Sequence, residues 1–467
     1  MFERWSGETA RSFVALPPSG SYREYYRISG REKSALGVFN ADLKENTAFV
    51  DFSRRFGGVG LQVPQVYEFI PEKDCYLLQD LGDTTLFAFI QGVRKDDEFP
   101  DELLQFYKKT LKNLVQFQLK GTDVIDFSKC YPRQAFDRQS MLWDLHYFKY
   151  YFLKLARIPF DEQLLEDDYN RFIDFLLGAD CHYFLYRDFQ SRNVMVYNDE
   201  PWFIDYQGGR RGALQYDVAS LLYDAKANIP NEVRSELLDY YISELKQHID
   251  VDQNAFVAHY YGYVFIRLMQ AMGAYGFRGF YEKKEHFLQS IPNALKNLDY
   301  LLRHVNLPVE LNTLMNTLQD VVKSEVLQSI TAEGPVLTVS INSFSYKRGI
   351  PIDITGNGGG FVFDCRSIHN PGKYSQYLDK TGKDDEVIEF FEKEPEMASF
   401  LNNVFAMVDQ SVEKYSSRGF RHLMVNFGCT GGQHRSVYSA EKLAEHLLTR
   451  FRVKVVVRHL EQEMKHP

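Results

Sequence analysis

The chain has 467 residues, of which 45% are hydrophobic and 25% are charged, and its formal net charge is −9. This length predicts two or three domains with ordinary hydrophobic cores. The acidic balance argues against nucleic-acid binding by bulk electrostatics, and the absence of a long apolar run argues against a membrane partner. The five cysteines form no CxxC pair and the first residues lack a secretory leader, so we expect a cytoplasmic location.

Residues 1–82 are predicted to form a small β-rich lobe. Strand-like segments occupy 21–28 and 34–40, with a turn between them, and two more occupy 63–70 and 75–81. Residues 45–56 lie between these pairs and have the apolar spacing of a helix. The pattern predicts one sheet that carries one helix.

Residues 83–328 are predicted to form a mostly helical lobe. Apolar residues recur at helical spacing in six segments between 84 and 277. A short β-like island at 184–207 interrupts the helices, and it contains the most informative motif of the chain.

Helical periodicity stops near residue 330, and Gly334-Pro335 breaks the chain. We predict a linker at 329–335 and a separate domain at 336–467. Strand-like and helical segments alternate in this domain, which is typical of an α/β layer with a largely parallel sheet. The glycine-rich residues 356–360 are predicted to form a flexible loop.

The β-like island contains an Asp-x4-Asn pair, Asp188 and Asn193, followed twelve residues later by Asp205. Phosphoryl transfer requires a carboxylate that orients or deprotonates the attacking hydroxyl, and it requires oxygen ligands for Mg²⁺. Asp188 is the candidate catalytic base, and Asn193 and Asp205 are the candidate metal ligands. The alternative is that Asp188 and Asn193 only cap turns.

Residues 184–196, 203–207 and 216–225 resemble the catalytic region of aminoglycoside phosphotransferases and choline kinases. The segments 77–86, 187–196, 266–277 and 290–298 are more similar to AmgK-type anomeric kinases of N-acetylmuramate and N-acetylglucosamine. The resemblance covers about residues 10–305. It implies a bilobal protein-kinase-like fold, ATP and Mg²⁺ as cofactors, a small sugar as the acceptor and a role in cell-wall recycling. In this family Asp217 matches a structural rather than a catalytic residue.

The chain departs from that family at two points. Tyr186 stands where the family commonly has His, and the strand at 34–40 lacks the Lys that many kinases direct at the ATP phosphates. Glu45 is the candidate partner of whichever cation serves instead. A non-catalytic nucleotide-binding regulator is the alternative that these departures favour. The candidate cations are Arg23, Arg27, Lys33 and Lys44.

The resemblance also implies where nucleotide and acceptor bind. The hairpin turn of Ser19, Gly20 and Ser21 would cover the nucleotide, with Arg23 and Glu45 nearby. The backbone from Gln79 through Leu81 to Gly82 would meet adenine. Acceptor contacts are expected from 143–145 and 267–278, although both segments also fit ordinary helix faces.

A second motif occurs at 422–443, where a β-rich run ends at Cys429 and a helix begins near His434. Gly431 and Gly432 free the backbone amides of this turn, and amides at a helix N-terminus bind anions. Cys429 and Arg435 also have the Cys-x5-Arg-Ser spacing of cysteine-dependent phosphatases. A plain strand-to-helix turn is the remaining alternative.

The segments 343–351, 361–371, 381–387, 428–437 and 457–461 resemble, in that order, the C-terminal domain of RapZ. This resemblance covers 336–462 and implies binding of a sugar phosphate without cleavage. RNA as a partner stays open, because this domain is near neutral and has no basic tail. The P-loop ATPase motif of that family is absent. The implied ligand residues are Arg366, His369, Thr430, Gly431, Gly432, Gln433, His434 and Arg435.

Overall fold

The computed structural model describes residues 1–16, 23–94, 98–330, 337–353, 359–417, 420 and 422–463. The chain divides into two compact units, Met1–Ile330 and Thr331–Pro467. Each unit has its own hydrophobic core. In the part of the chain that is described, no helix is both long enough and apolar enough to cross a membrane.

The first unit begins with a five-stranded antiparallel sheet in the order β1-β2-β3-β5-β4. The sequence patterns predict four of these strands and miss the short edge strand β1. Asp42 starts the single long helix of this lobe, because its carboxylate accepts the backbone N–H groups of Lys44 and Glu45. The elements are α1 (Phe2–Ser6), β1 (Ser12–Ala15), β2 (Glu24–Ser29), β3 (Ser34–Phe39), α2 (Leu43–Gly58), β4 (Val66–Ile70) and β5 (Cys75–Gln79).

Helices dominate the rest of this unit. They enclose a core of aromatic and aliphatic side chains that continues into the sheet lobe. The helices are α3 (Leu86–Val93), α4 (Asp101–Val124), α5 (Arg138–Phe148), α6 (Glu162–Leu176), α7 (Gln215–Leu222), α8 (Asn231–Leu245), α9 (Gln253–Tyr275), α10 (Ile291–His304), α11 (Asn312–Lys323) and α12 (Glu325–Gln328).

Two short antiparallel strand pairs interrupt these helices. They are β6 (Tyr183–Leu185) with β9 (Arg210–Gly212), and β7 (Val194–Tyr197) with β8 (Glu200–Phe203). Asn198 and Asp199 join β7 to β8 with φ angles of 52° and 58°, the left-handed pair that a tight hairpin turn requires. This arrangement places residues 186–193 between β6 and β7, and Asp205 directly after β8.

The second unit contains a four-stranded parallel sheet in the order β11-β12-β10-β13, with strands β10 (Thr338–Ser345), β11 (Gly360–Asp364), β12 (His422–Cys429) and β13 (Lys454–His459). The prediction of a largely parallel α/β layer is confirmed. The predicted loop at 356–360 falls mostly outside the described residues. The helices are α13 (Asp385–Glu392), α14 (Pro395–Ser417), α15 (Arg435–Arg450) and α16 (Leu460–Glu463).

Candidate functional site

The loop between β6 and β7 is held by Asp217 of α7. Its carboxylate accepts the backbone N–H groups of Tyr186 at 2.7 Å and Arg187 at 3.0 Å. Burial raises the pKa of Asp217 to about 7, although the two N–H donors act in the opposite direction. Asp217 therefore positions the loop from beneath and does not face the cleft.

Two side chains of the loop anchor it on either side. The Tyr186 hydroxyl donates to the carbonyl of Ile204 at 2.6 Å, so this Tyr links the loop to the residue before Asp205. Arg187 has a φ of 83°, a conformation that is rare for residues with a side chain. Its guanidinium donates to Asp144 at 2.7 Å and to the Tyr216 hydroxyl at 2.6 Å, and these contacts offset the strain.

The three residues of the Asp-x4-Asn motif and its following Asp lie together. The Asn193 side-chain amide donates to the Asp188 carbonyl at 2.8 Å and to Asp205 Oδ2 at 3.1 Å. Asp205 has a φ of 69°, so a second strained residue lies at this point. Burial, together with the negative charge of Asp188, raises the pKa of Asp205.

These groups fit Mg²⁺, because two carboxylates and an amide oxygen face one cleft and the charge of Asp205 is not fully balanced. In the described ranges, this cleft included, no three His, Cys, Asp or Glu side chains gather as a metal site. A kinase metal needs only a few protein oxygens, since phosphate and water oxygens complete its coordination.

Arg23, just before β2, is the candidate cation that lies beside Asp205. Its guanidinium lies 2.7 Å from Glu45 Oε1 on α2 and 3.7 Å from Asp205 Oδ1. The guanidinium also lies 5.9 Å from the ring centre of Phe49, and the side chain of Arg23 is only 3% exposed. Arg23 therefore connects the helix of the sheet lobe to the end of β8.

The other three candidate cations contact other residues or are exposed to solvent. Lys33 donates to the carbonyl of Ser6 at 2.9 Å, and Lys44 is exposed. Arg27 forms ion pairs at 2.8 Å with both Asp80 and Asp83, next to the connection between the lobes.

A cavity of about 680 Å³ lies between the sheet lobe and the helices, and the predicted residues Arg23, Gln79, Leu81, Asp188, Asn193 and Asp205 line it. Glu45 reaches this site through its ion pair with Arg23. Ser19, Gly20 and Ser21 lie outside the described residues. Aliphatic and aromatic side chains also line the cavity: Tyr25, Leu36, Leu78, Leu81, Met195 and Ile204.

The acceptor side differs in detail from the sequence expectation. Trp143 is 49% exposed, and the Arg133 guanidinium lies over its ring, 5.5 Å from the ring centre. Leu145, in contrast, is fully buried in the core. Tyr147, two residues further along α5, is the residue of this segment that lines the cavity. Arg267 and Arg278 line it as expected. Sequence reasoning missed Arg192, Lys226 and Asp224; Arg192 lies inside the motif, but nothing local indicated the other two.

The second unit has its candidate site at the carboxyl ends of its parallel strands, where β12 turns into α15. Gly432 has a φ of 62°, and a side chain there would lie 2.9 Å from the backbone N of Ser345. The Cys429 sulfur accepts the backbone N–H of Gly432 at 3.1 Å and lies 3.2 Å from the Ser436 hydroxyl oxygen. Cys429 is 3% exposed, so the sulfur faces the interior of the turn.

The predicted anion-binding residues surround this turn but differ in their exposure. Thr430 and Gly431 are exposed. Gln433 donates to the carbonyls of Leu378 and Lys380, and His434 Nε2 lies 2.8 Å from the carbonyl of Tyr377. These two side chains therefore fix the neighbouring segment rather than face solvent.

The remaining residues lie on the facing segment 366–369 or contact it. Arg435 is buried and donates to the carbonyls of Arg366 and Ile368, each at 2.9 Å. The Arg366 side chain is half exposed; it pairs with Asp364 and lies over the ring of Tyr346. His369 is 3.0 Å from Glu394. The exposed groups at this site are thus Arg366 and residues 430–431, and the buried Arg435 Nε has no hydrogen-bond partner among the described residues.

The fold and the loop geometry define a protein of the kinase-like phosphotransferase class. The model of the phosphotransferase enzyme family matches residues 15–251, and the chain belongs to that family. Residues 337–463 match the RapZ C-terminal domain. Both resemblances predicted from the sequence are confirmed at this level.

Among curated relatives, the chain is 37% identical over 126 residues to a nucleotide-binding protein of Fervidobacterium nodosum, covering 27% of this chain and 43% of that protein. It is 43% identical over 123 residues to one from Nitrosomonas eutropha, covering 26% and 40%. The chain thus spans less than half the length of these relatives. A choline/ethanolamine kinase family protein from Mesorhizobium loti is 11% identical, with a TM-score of 0.45 over 68% of this chain and 94% of its own.

Proposed function

We propose that this chain is an ATP-dependent phosphotransferase that phosphorylates a hydroxyl group of a small sugar. The observation that carries the proposal is the contact of Asn193 with both Asp188 and Asp205 at the floor of the cavity. Membership of the phosphotransferase enzyme family supports it.

Each residue has a distinct role in this proposal. Asp188 orients the acceptor hydroxyl and accepts its proton. Asn193 and Asp205 would hold Mg²⁺, which supplies charge neutralisation at the phosphates. Arg23, held by Glu45, contributes a fixed positive charge to the same end of the cavity.

We further propose that the acceptor is an amino sugar of the N-acetylmuramate or N-acetylglucosamine type, phosphorylated at its anomeric hydroxyl during cytoplasmic cell-wall recycling. The AmgK-like segments support this acceptor. An anomeric hydroxyl is more acidic than the other sugar hydroxyls, so a single carboxylate base is sufficient.

For the second unit we propose sugar-phosphate binding without hydrolysis. A phosphatase would need an exposed thiolate and an arginine directed at the same anion. The Cys429 sulfur is buried, and one guanidinium nitrogen of Arg435 donates to two backbone carbonyls. These contacts disfavour the Cys-x5-Arg phosphatase alternative.

An ATP-consumption screen over amino sugars tests the proposal, with the phosphorylated position identified by ³¹P NMR. We expect turnover with an N-acetylated hexosamine and a sugar 1-phosphate product. A 6-phosphate product, or activity only on choline or aminoglycosides, would contradict the proposed acceptor. Nucleotide binding without ATP consumption for any acceptor would favour the non-catalytic regulator.

A further inference from the structure

Three basic side chains from the helical lobe line one side of the cavity: Arg192, Lys226 and Arg267. Among the residues that the structure describes, no carboxylate lies within ion-pair distance of any of the three. Arg267 donates through Nε to the Ser220 hydroxyl at 2.9 Å and through a second nitrogen to the Gln270 side chain. Its guanidinium is therefore held by neutral partners, and its charge is not neutralised by them.

Lys226 also lines the cavity, but it is exposed, whereas Arg267 is buried. Its ammonium lies 5.8 Å from the ring centre of Phe87. Burial lowers the pKa of Lys226, and the positive charge of Arg192 lowers it further. Arg192 and Lys226 are both exposed to the solvent of the cleft, so water screens their repulsion, but neither has a carboxylate beside it in the described part of the chain and an anion between them would be stabilised.

The carboxylates that line this cavity do not supply that anion. Asp188 and Asp205 belong to the phosphoryl-transfer site. Asp224 accepts the backbone N–H and hydroxyl of Ser191 and the backbone N–H of Lys226. Both of its carboxylate oxygens therefore already accept hydrogen bonds from nearby donors. Asp224 attracts Lys226 only through space and does not form an ion pair with it.

We propose that the acceptor carries an anionic group, a carboxylate or a phosphate, which binds to Arg192, Lys226 and Arg267. This inference rests on the proposed function and specifies its substrate class. The sheet lobe already contributes a cation for ATP in this proposal, since Arg23 pairs with Glu45 beside Asp205. The same three charges would repel cationic acceptors such as choline or an aminoglycoside.

Matched sugars test this proposal on the full chain. N-acetylmuramate differs from neutral N-acetylglucosamine only by a carboxylate-bearing ether, and N-acetylglucosamine 6-phosphate carries a phosphate instead. We expect kcat/KM to be higher for one of the two anionic sugars than for neutral N-acetylglucosamine. The anionic sugar with the higher kcat/KM shows whether the cluster binds a carboxylate or a phosphate. Glucosamine, which is cationic, is the fourth sugar in this comparison.

Lys226→Gln should reduce this preference for the anionic sugar by about tenfold to a hundredfold, because a charge-assisted contact is lost. Lys226→Arg should retain most of the preference. Arg303→Gln is a matched control, because it removes a cation that pairs with Asp299 on an exposed helix face. If Lys226→Gln instead raises the KM for ATP, the cluster binds nucleotide and the proposal is wrong.

Calorimetry with the Asp188→Asn chain separates this inference from the proposed function, because it measures binding without turnover. If no sugar is phosphorylated, the proposed function fails. The inference would still hold if an anionic sugar binds more tightly than the neutral one and this difference is lost in the double variant with Lys226→Gln. Equal affinity for anionic and neutral sugars, a preference for glucosamine, or no binding of any sugar overturns the inference.

Discussion

Replacing Arg23 with Gln tests whether this residue substitutes for the missing strand lysine. The change removes the cation that lies 2.7 Å from Glu45 and 3.7 Å from Asp205 and leaves a shorter, uncharged polar side chain. Two carboxylates would then face the phosphate end of the cavity without their counter-charge. We therefore expect weaker ATP use rather than weaker acceptor use.

The structure limits the size of this effect. The Arg23 side chain is 3% exposed, but Glu45 is 31% and Asp205 is 37% exposed, so water screens the carboxylates. The 3–5 kcal/mol typical of breaking a fully buried pair is therefore an upper bound. About 1.5–3 kcal/mol, the range for one charge-assisted contact, corresponds to a fall in kcat/KM for ATP of roughly tenfold to a hundredfold.

Steady-state kinetics with ATP varied at saturating acceptor measures this fall. Lys44→Gln is the matched control, since Lys44 is exposed on the first turn of α2. In a double-mutant cycle, Glu45→Gln combined with Arg23→Gln should cost less than the sum of the single changes. A normal kcat/KM for ATP in Arg23→Gln, or a loss in Lys44→Gln instead, would refute the reasoning.

Three further predictions follow from the same geometry. Asp188→Asn should lower kcat by about 10²–10⁴-fold with little change in nucleotide affinity, and a near-normal kcat would exclude Asp188 as the base. Burial raises the pKa of Asp217 from 3.8 to about 7, so the folded chain binds an extra proton between these values and its free energy of unfolding falls as the pH rises through them. Relative to Asp217→Asn, this loss is on the order of 4 kcal/mol in denaturant melts, and a difference that does not vary with pH would mean a normal pKa. In the second unit, Arg366→Ala should weaken glucosamine-6-phosphate binding about tenfold by calorimetry, because this exposed cation already shares its charge with Asp364, whereas Cys429→Ser should change binding little. Hydrolysis of an aryl phosphate that depends on Cys429 would contradict the binding-only proposal.

Local sequence determined the parts of this protein in which neighbouring residues define the geometry. Asp188, Asn193 and Asp205 fall within eighteen consecutive residues, and one hairpin brings them into contact. The parallel sheet of the second unit was predictable for a related reason, because alternating strands and helices allow few other arrangements. In both cases the pattern in the chain and the contact in space coincide.

Only the tertiary structure decided which side chains complete the sites. Four cations near the sheet lobe were candidates in the sequence, with Arg23 placed near the nucleotide, and only the fold shows that Arg23 packs against Glu45 and Asp205. Lys226 had no local signal, because its position in the cavity depends on the packing of distant segments. Arg435 was expected to bind an anion, and the fold shows that one of its guanidinium nitrogens also donates to the carbonyls of 366 and 368. Side-chain direction and burial arise from contacts between segments far apart in the chain, and a local pattern does not contain them.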